Sequence, residues 1–289
     1  MSLPFRALGL GGGGMKGILH IGALRELEKH QSLKFPDGVY GCSVGSIIAT
    51  FIAFGLPIAN MIPFVRKHLS FDAILPKFSM ANMSSMFSAK GMYSMDLFEQ
   101  RVVELFEENG IEIRSKKIED AHMPLRIVAS NITKGVPTIF PGDVRIVDAL
   151  KASCCLPGIF HPQDIGGSLY VDGGLVAPCV ASIMSNSDSM IVFTLSKQRH
   201  HQLTPSLIGC MSPIEYMLEL CTVGSDACHR AQLTDDTVCL SYPNLRSDSD
   251  LSKFSVDDIL SHSGLQLHRF LFPKVLGQEA PESVGTGVP

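Results

Sequence analysis

One serine in the chain stands between two glycines where the sequence predicts a sharp turn from a strand into a helix. Residues 41–45 read Gly-Cys-Ser-Val-Gly, after the apolar run 38–40 and before the apolar stretch 47–54. A backbone that bends so tightly leaves no room for side chains beside the serine, and glycine tolerates such a bend. The pattern predicts a nucleophile elbow, with Ser43 at its apex and Gly41 and Gly45 as its small neighbours.

A run of four glycines lies upstream, between a predicted buried strand over residues 5–10 and a predicted helix. Glycines ahead of a helix N-terminus let several backbone N–H groups point at one spot, where the helix dipole also favours an anion. We expect Gly12, Gly13 and Gly14 to form an oxyanion hole for acyl transfer. The spacing of Gly12, Gly14 and Gly17 also fits a dinucleotide-binding loop. Such a site would need an acidic residue at the end of the second strand, but Asp37 precedes that strand.

An aspartate far downstream is the expected partner of the serine. Asp172 ends a short apolar strand and is followed by Gly173 and Gly174. A carboxylate at a strand end can face the elbow across the sheet crevice, and a serine hydroxyl needs a base to take its proton. Asp-Gly is also a common turn dipeptide, so a plain turn is the alternative interpretation.

A histidine base is the alternative to a serine–aspartate dyad. Triads of α/β hydrolases run serine, acid and histidine along the chain. The histidines that follow Asp172 are His200, His201, His229, His262 and His268. None of them stands at a strand end or beside glycines, whereas His161 precedes the aspartate and His20 suits core packing on the first helix. We therefore expect a dyad.

The three motifs, in their order and spacing, resemble those of the patatin-like phospholipase family. A fourth segment agrees, because residues 152–157 read Ala-Ser-Cys-Cys-Leu-Pro and resemble the family's Ala-Ser-x-x-x-Pro block. The resemblance covers roughly residues 5–195. It implies an α/β fold with a mainly parallel sheet and helices on both faces, in three α/β/α layers.

The resemblance also implies roles for individual residues. Ser43 would be the nucleophile and Asp172 its partner, while the glycine triplet would supply oxyanion donors. Lys16 and Gly17 would support that loop. The chain departs from many relatives at Gly11, where they carry a polar residue before the triplet.

The activity implied by the resemblance is hydrolysis of fatty-acyl esters in phospholipids or other lipids. It would require no metal and no organic cofactor, and it would involve transient contact with a membrane surface. Two other functions stay open from the sequence. A soluble esterase or thioesterase would share the same catalytic residues, and a non-catalytic lipid-binding module would share the fold.

Composition limits the remaining possibilities. A chain of 289 residues can bury a sizeable core as one domain. We expect a catalytic domain over 5–195, a helical extension packed on it over 196–275 and a disordered tail over 276–289. The net charge is −4 and Lys/Arg runs are absent, so we expect no nucleic-acid partner.

The eight cysteines include no Cys-x-x-Cys pair, and no secretory leader precedes the first strand. We expect reduced thiols and a cytoplasmic location, with peripheral contact to membranes. No Cys/His cluster has the spacing of metal ligands, so the sequence predicts no metal site. The cysteine beside the nucleophile, Cys42, is expected to be a packing residue.

Two stretches allow more than one interpretation. Residues 38–65 carry no charge and are long enough to span a bilayer, but Pro57, Pro63 and Asn60 favour division into a strand, a helix and a second short helix. Methionines crowd residues 80–95. They favour either an adaptable lid over acyl chains or ordinary core filling.

Overall fold

Parallel strands form the centre of the computed structural model, which describes residues 4–68, 80–184, 189–195, 204–243, 245 and 253–273. The main sheet contains β1 (Ala7–Leu10), β2 (Gly38–Cys42), β4 (Leu125–Asn131), β5 (Val136–Ile139), β7 (Gln163–Ile165), β8 (Ser168–Val171), β9 (Met190–Leu195) and β10 (Thr237–Leu240). Strands β3 (Gly91–Tyr93) and β6 (Gly158–Phe160) pair separately. Among the described residues the strand order is β10-β9-β1-β2-β4-β8-β7.

Strands β10, β9, β1, β2 and β4 are parallel, whereas β5, β7 and β8 add an antiparallel edge beside β4. All residues of β1 and β2 are buried. Such uninterrupted burial is typical of parallel strands that are covered on both faces. The prediction of an α/β fold with a mainly parallel sheet is confirmed.

The helices of the described chain are α1 (Ile18–Glu28), α2 (Val44–Ala53), α3 (Met61–His68), α4 (Met80–Ser88), α5 (Asp96–Glu107), α6 (Ile146–Ser153), α7 (Pro205–Cys210), α8 (Pro213–Gln232) and α9 (Val256–Leu271). Helices α1, α2, α5, α6 and α9 pack on one face of the sheet, with Leu8 and Phe193 in that core. On the other face, Tyr40 and Val192 pack under the 3-10 turn Val180–Ile183. Helices α1 and α9 also lie against each other.

The C-terminal part of the described chain joins the sheet as well as adding helices. Strand β10 pairs in parallel with β9. The predicted boundary between the catalytic domain over 5–195 and the extension over 196–275 therefore falls between two neighbouring strands of one sheet. This domain boundary stays a proposal. The expected tail over 276–289 lies outside the described residues.

The uncharged stretch folds as the strand, helix and short helix that the prolines favoured. None of the helices in the described ranges has the length and hydropathy that crossing a bilayer requires. In the methionine-rich segment, Met95 is buried in the main core and Met92 packs against it. These two side chains fill the core, whereas the side chains of Met80 and Met83 lie outside the described residues.

Candidate active site

Ser43 occupies a strained turn between β2 and α2. Its φ of 52° and ψ of −129° are unusual for a residue with a side chain. A Cβ on Gly41 would meet the backbone of Ser46, and one on Gly45 would meet the carbonyl of Leu10. The two glycines are therefore required by close backbone approach, as the elbow pattern predicted.

The Ser43 hydroxyl points directly at an aspartate. Ser43 Oγ donates a hydrogen bond to Asp172 Oδ2 at 2.6 Å, and both side chains are buried. The other carboxylate oxygen, Asp172 Oδ1, accepts the N–H of Gly174 at 2.6 Å. A hydroxyl hydrogen-bonded to a carboxylate is a geometry from which the carboxylate can accept the proton.

Backbone contacts fix the position of the aspartate. The N–H of Asp172 donates to the Cys155 carbonyl at 2.7 Å, and Ser130 Oγ donates to the Asp172 carbonyl at 2.8 Å. A Cβ on Gly173 would lie 2.5 Å from the Val128 carbonyl oxygen. The glycine after the aspartate therefore allows this turn to press against β4.

A second serine supports the elbow from α6. Ser153 Oγ accepts the N–H of Ser43 at 2.9 Å and donates to the Val128 carbonyl at 2.6 Å. Ser46 Oγ also donates to the Ser43 carbonyl at 2.6 Å. The sequence analysis did not assign a role to Ser153, although the Ala-Ser-x-x-x-Pro segment singled out its position.

The glycine loop lies against the nucleophile. A Cβ on Gly12 would be 3.2 Å from Ser43 Cβ. The Gly12 N–H donates to the Pro178 carbonyl at 3.1 Å. The Gly12 amide therefore does not fit the expectation that it stabilises an oxyanion, because its N–H is already bonded to Pro178. Gly12 instead allows the loop to approach Ser43 closely, because it has no Cβ.

The amides of Gly13 and Gly14 are placed differently from that of Gly12. Gly13 directly precedes the 3-10 turn Gly14–Gly17 that leads into α1, and Gly14, the first residue of that turn, has a φ of 59°. In the described part of the chain their N–H groups have no carbonyl partner. A Cβ on Gly17 would collide with Val44, which follows the nucleophile. Lys16 lies on the same turn, and its support of the loop stays a prediction.

A buried histidine holds the start of the loop. His20 lies on α1, stacks on Phe193, and its Nε2 is 3.0 Å from the Gly11 carbonyl oxygen. Burial lowers the pKa of His20 to about 4, while the bond to Gly11 opposes that shift. The imidazole is therefore neutral near pH 7 and donates through Nε2–H, a contact that the sequence analysis missed.

The described histidines considered for a triad have other partners. His229 Nε2 lies 2.7 Å from Thr194 Oγ1, and His161 Nε2 lies 2.8 Å from Ser85 Oγ. His262 packs edge-on against Tyr242, and His268 contacts a glutamate on α1. His200 and His201 lie outside the described residues.

The cysteines around the site are packed thiols. Cys42 is fully buried, with its sulfur facing Gly12 and Gly173. Burial, together with the Asp172 charge, raises the pKa of Cys155 to about 12 and that of Cys154 well above its usual value. Thiols that stay protonated are poor nucleophiles. All eight cysteines are free.

An apolar cavity of about 160 Å³ opens beside Ser43. Side chains from several helices, from strand β6 and from the segment before it line the cavity, including Met15, Ile18, Ile21, Val44, Ile47, Ile48, Met61, Phe64, Val65, Phe98, Leu105, Leu156 and Phe160. The serine is thus placed where an apolar chain can lie next to its hydroxyl. A cavity with these walls favours hydrocarbon over polar ligands.

Comparisons with known proteins agree with this geometry. Residues 8–184 match the family model described as Patatin-like phospholipase. The chain is 31% identical over 196 residues to a cUMP-AMP-activated phospholipase of Escherichia coli, covering 60% of this chain and 55% of the relative. It is 29% identical over 185 residues to a probable lipid hydrolase of Invertebrate iridescent virus 6, covering 59% of this chain and 60% of the relative.

The chain spans little more than half the length of these two relatives. Its fold is similar to the crystal structure of VipD from Legionella pneumophila, with a TM-score of 0.50 and 14% identity, over 94% of this chain and 68% of that one. At this identity the likeness concerns the fold.

Proposed function

The chain belongs to the patatin-like phospholipase family, and we propose that it hydrolyses fatty-acyl esters of lipids with Ser43 as nucleophile and Asp172 as base. The observation that carries this proposal is the 2.6 Å hydrogen bond between the two side chains beside an apolar cavity. The relatives named as a phospholipase and a lipid hydrolase support the substrate class.

In the proposed reaction, Asp172 accepts the Ser43 proton while Oγ attacks the ester carbonyl. The carbonyl π electrons move onto oxygen, and the N–H groups of Gly13 and Gly14 stabilise that oxyanion. When the tetrahedral intermediate collapses, the proton on Asp172 passes to the leaving alcohol oxygen. An acyl ester on Ser43 remains.

Water completes the cycle. Asp172 takes a proton from a water molecule, and the resulting hydroxyl attacks the acyl ester. Collapse of the second tetrahedral intermediate returns that proton to Ser43 Oγ and releases the fatty acid. Water is the only co-reactant of this proposed reaction.

The test of this function is a screen of purified protein on phospholipid vesicles, lysophospholipid, triacylglycerol, acyl thioesters and short soluble esters. Ser43→Ala serves as the blank for every substrate. We expect release of fatty acid from lipid substrates, with rates that rise when the substrate forms vesicles or micelles. Equal activity on short soluble esters without such a rise would indicate a soluble esterase, and no Ser43-dependent release would indicate a non-catalytic module.

Gly13→Val is expected to reduce turnover by about 100-fold to 1,000-fold, the usual effect of losing an oxyanion donor. A Cβ at this position would lie only 2.5 Å from Leu195 Cδ1, so the loop must move and its N–H groups must turn away. The measurement is kcat on a lipid ester that the screen identifies. Gly224→Val, at a glycine with open space around it, is the matched control and should leave turnover unchanged.

Normal turnover of folded Gly13→Val would exclude this loop from oxyanion stabilisation. If Gly13→Val instead lost affinity for a dinucleotide while it kept esterase activity, the dinucleotide-binding interpretation of the glycine spacing would return.

Val65→Phe is expected to shift selectivity toward shorter acyl chains. Val65 lines the cavity from α3 and is only partly buried, so a larger side chain can extend into the space without disrupting the main core. We expect the ratio of kcat/KM for long over short chains to fall about tenfold, within the range for a changed hydrophobic pocket. Val65→Ala is the control and should not lower that ratio, and an unchanged ratio in Val65→Phe would place the acyl chain elsewhere.

A further inference from the structure

We propose that Glu26, His30 and His268 form a Zn²⁺ site that joins helix α1 to helix α9. The site lies toward the C-terminal end of α1, whereas the glycine loop precedes the N-terminal end of that helix. It is independent of the chemistry proposed for Ser43. Its ligands are a carboxylate and two imidazoles, a donor set that zinc commonly takes.

The three ligand atoms converge across the helix pair. His268 Nδ1 lies 2.9 Å and His30 Nε2 lies 3.2 Å from the same oxygen, Glu26 Oε1. All three atoms lie within 4.8 Å of one another. Zinc bonds of about 2.0–2.1 Å in a tetrahedron separate its ligand atoms by about 3.3 Å, so small side-chain movements would complete the coordination, with water as the fourth ligand.

The backbone supplies this arrangement from two elements. Glu26 and His30 are four residues apart, which places them on one side of α1 and its C-terminal extension. His268 lies in the last turn of α9 and reaches across to them. The ring of Phe272, directly after α9, contacts both imidazoles with centroids 4.9 Å from His30 and 5.1 Å from His268. This packing restrains the two rings that would bind the metal.

Partial burial of the cluster suits a bound cation. The Glu26 side chain is 11% exposed, whereas those of His30 and His268 are 23% and 35% exposed, so a metal has a route from solvent. Both imidazoles contact the same carboxylate oxygen, Glu26 Oε1, so one ion at that point would meet all three groups.

Lys29 binds the other oxygen of the Glu26 carboxylate, not the Oε1 atom that the two histidines contact. Lys29 Nζ binds Glu26 Oε2 at 2.6 Å, and its side chain is 67% exposed. It competes with a metal for the carboxylate charge without occupying Oε1. Zinc at this position would link α9 to α1, the helix that follows the glycine loop, across 242 residues of sequence.

The experiment is calorimetric titration of Zn²⁺ into the reduced, full-length protein after EDTA treatment and removal of the chelator. We expect one zinc ion per chain. His30→Gln and His268→Gln keep a side-chain donor toward Glu26 but remove a metal ligand, and each should weaken zinc binding at least about 100-fold, beyond the usual effect of an outer-shell change. His262→Ala, on the same helix α9, is the matched control and should bind like the wild type.

Two further measurements separate a metal site from a network of hydrogen bonds. Zinc should raise the Tm of the wild type and of His262→Ala, but not that of His268→Gln. Lys29→Ala should bind zinc at least as tightly as the wild type, because a competing cation is gone. Absence of zinc binding by the wild type would overturn the proposal, as would equal binding by folded His268→Gln, or a Co²⁺ spectrum with thiolate bands that indicates binding by cysteines instead.

Discussion

Ser43→Ala is expected to abolish ester hydrolysis while the protein remains folded. The substitution removes the hydroxyl that donates to Asp172 at 2.6 Å, and alanine fits where the buried serine stands. We expect activity to fall to the background of the assay, a loss of roughly 10⁶-fold or more for a serine nucleophile. Fatty-acid release from lipid substrate measures this loss, and circular dichroism checks the fold.

A fluorophosphonate probe identifies the nucleophile directly. It should label the wild type at Ser43 alone and should not label Ser43→Ala. Ser84→Ala, at an exposed serine on α4, should be labelled like the wild type. Labelling that persists in Ser43→Ala, or that maps to Cys42, would reject the assignment.

Asp172→Asn is expected to cause a severe loss of activity, second in size to the loss from Ser43→Ala. The asparagine keeps the shape of the side chain, and its oxygen can still accept the N–H of Gly174. Its amide nitrogen cannot take a proton from the Ser43 hydroxyl, so the nucleophile loses its base. We expect a loss of about 10⁴-fold in kcat, the size seen when an aspartate essential to a serine nucleophile is replaced by asparagine.

Histidine substitutions provide the contrast to Asp172→Asn. Single alanine variants of His200, His201, His229, His262 and His268 should retain most activity. If a folded variant of any one of them lost activity as completely as Ser43→Ala, a triad would replace the proposed dyad. His229 is the most demanding case because it is buried against Thr194, so its variant needs a check of folding before its activity is interpreted.

Local patterns in the sequence predicted much of the architecture. The apolar runs that became β1 and β2 are covered on both faces, and such strands need little more than continuous hydrophobicity. Strands β4 and β5 are joined through the Lys134-Gly135 turn, where Gly135 has a φ of 72° that favours glycine. Helices α8 and α9 begin after Ser212 and Ser255, whose side chains accept backbone N–H groups of the first turn, and such polar caps are local signals.

The geometry around Ser43 was only partly predictable. The elbow glycines were found because backbone crowding at a tight turn limits which residues can stand there. Two hydrogen bonds at the site were not predicted: the Gly12 N–H donates to the Pro178 carbonyl, and the Ser43 N–H donates to Ser153 Oγ. Both bonds join residues more than a hundred positions apart, and neither partner has a pattern that identifies it as an acceptor.

The sequence by itself determined the elements that depend on neighbouring residues: the strained serine turn, the glycine loop before a helix and the strand that ends at Asp172. Tertiary structure alone decided which of these groups meet. Antiparallel pairing of β8 with β4, the neighbour of β2, brings Asp172 Oδ2 to 2.6 Å from Ser43 Oγ across 129 residues. Packing of α9 on α1 brings His268 to Glu26 across 242 residues. Local propensity encodes the shape of a segment, whereas the distance between remote side chains is fixed by burial of the surfaces between them.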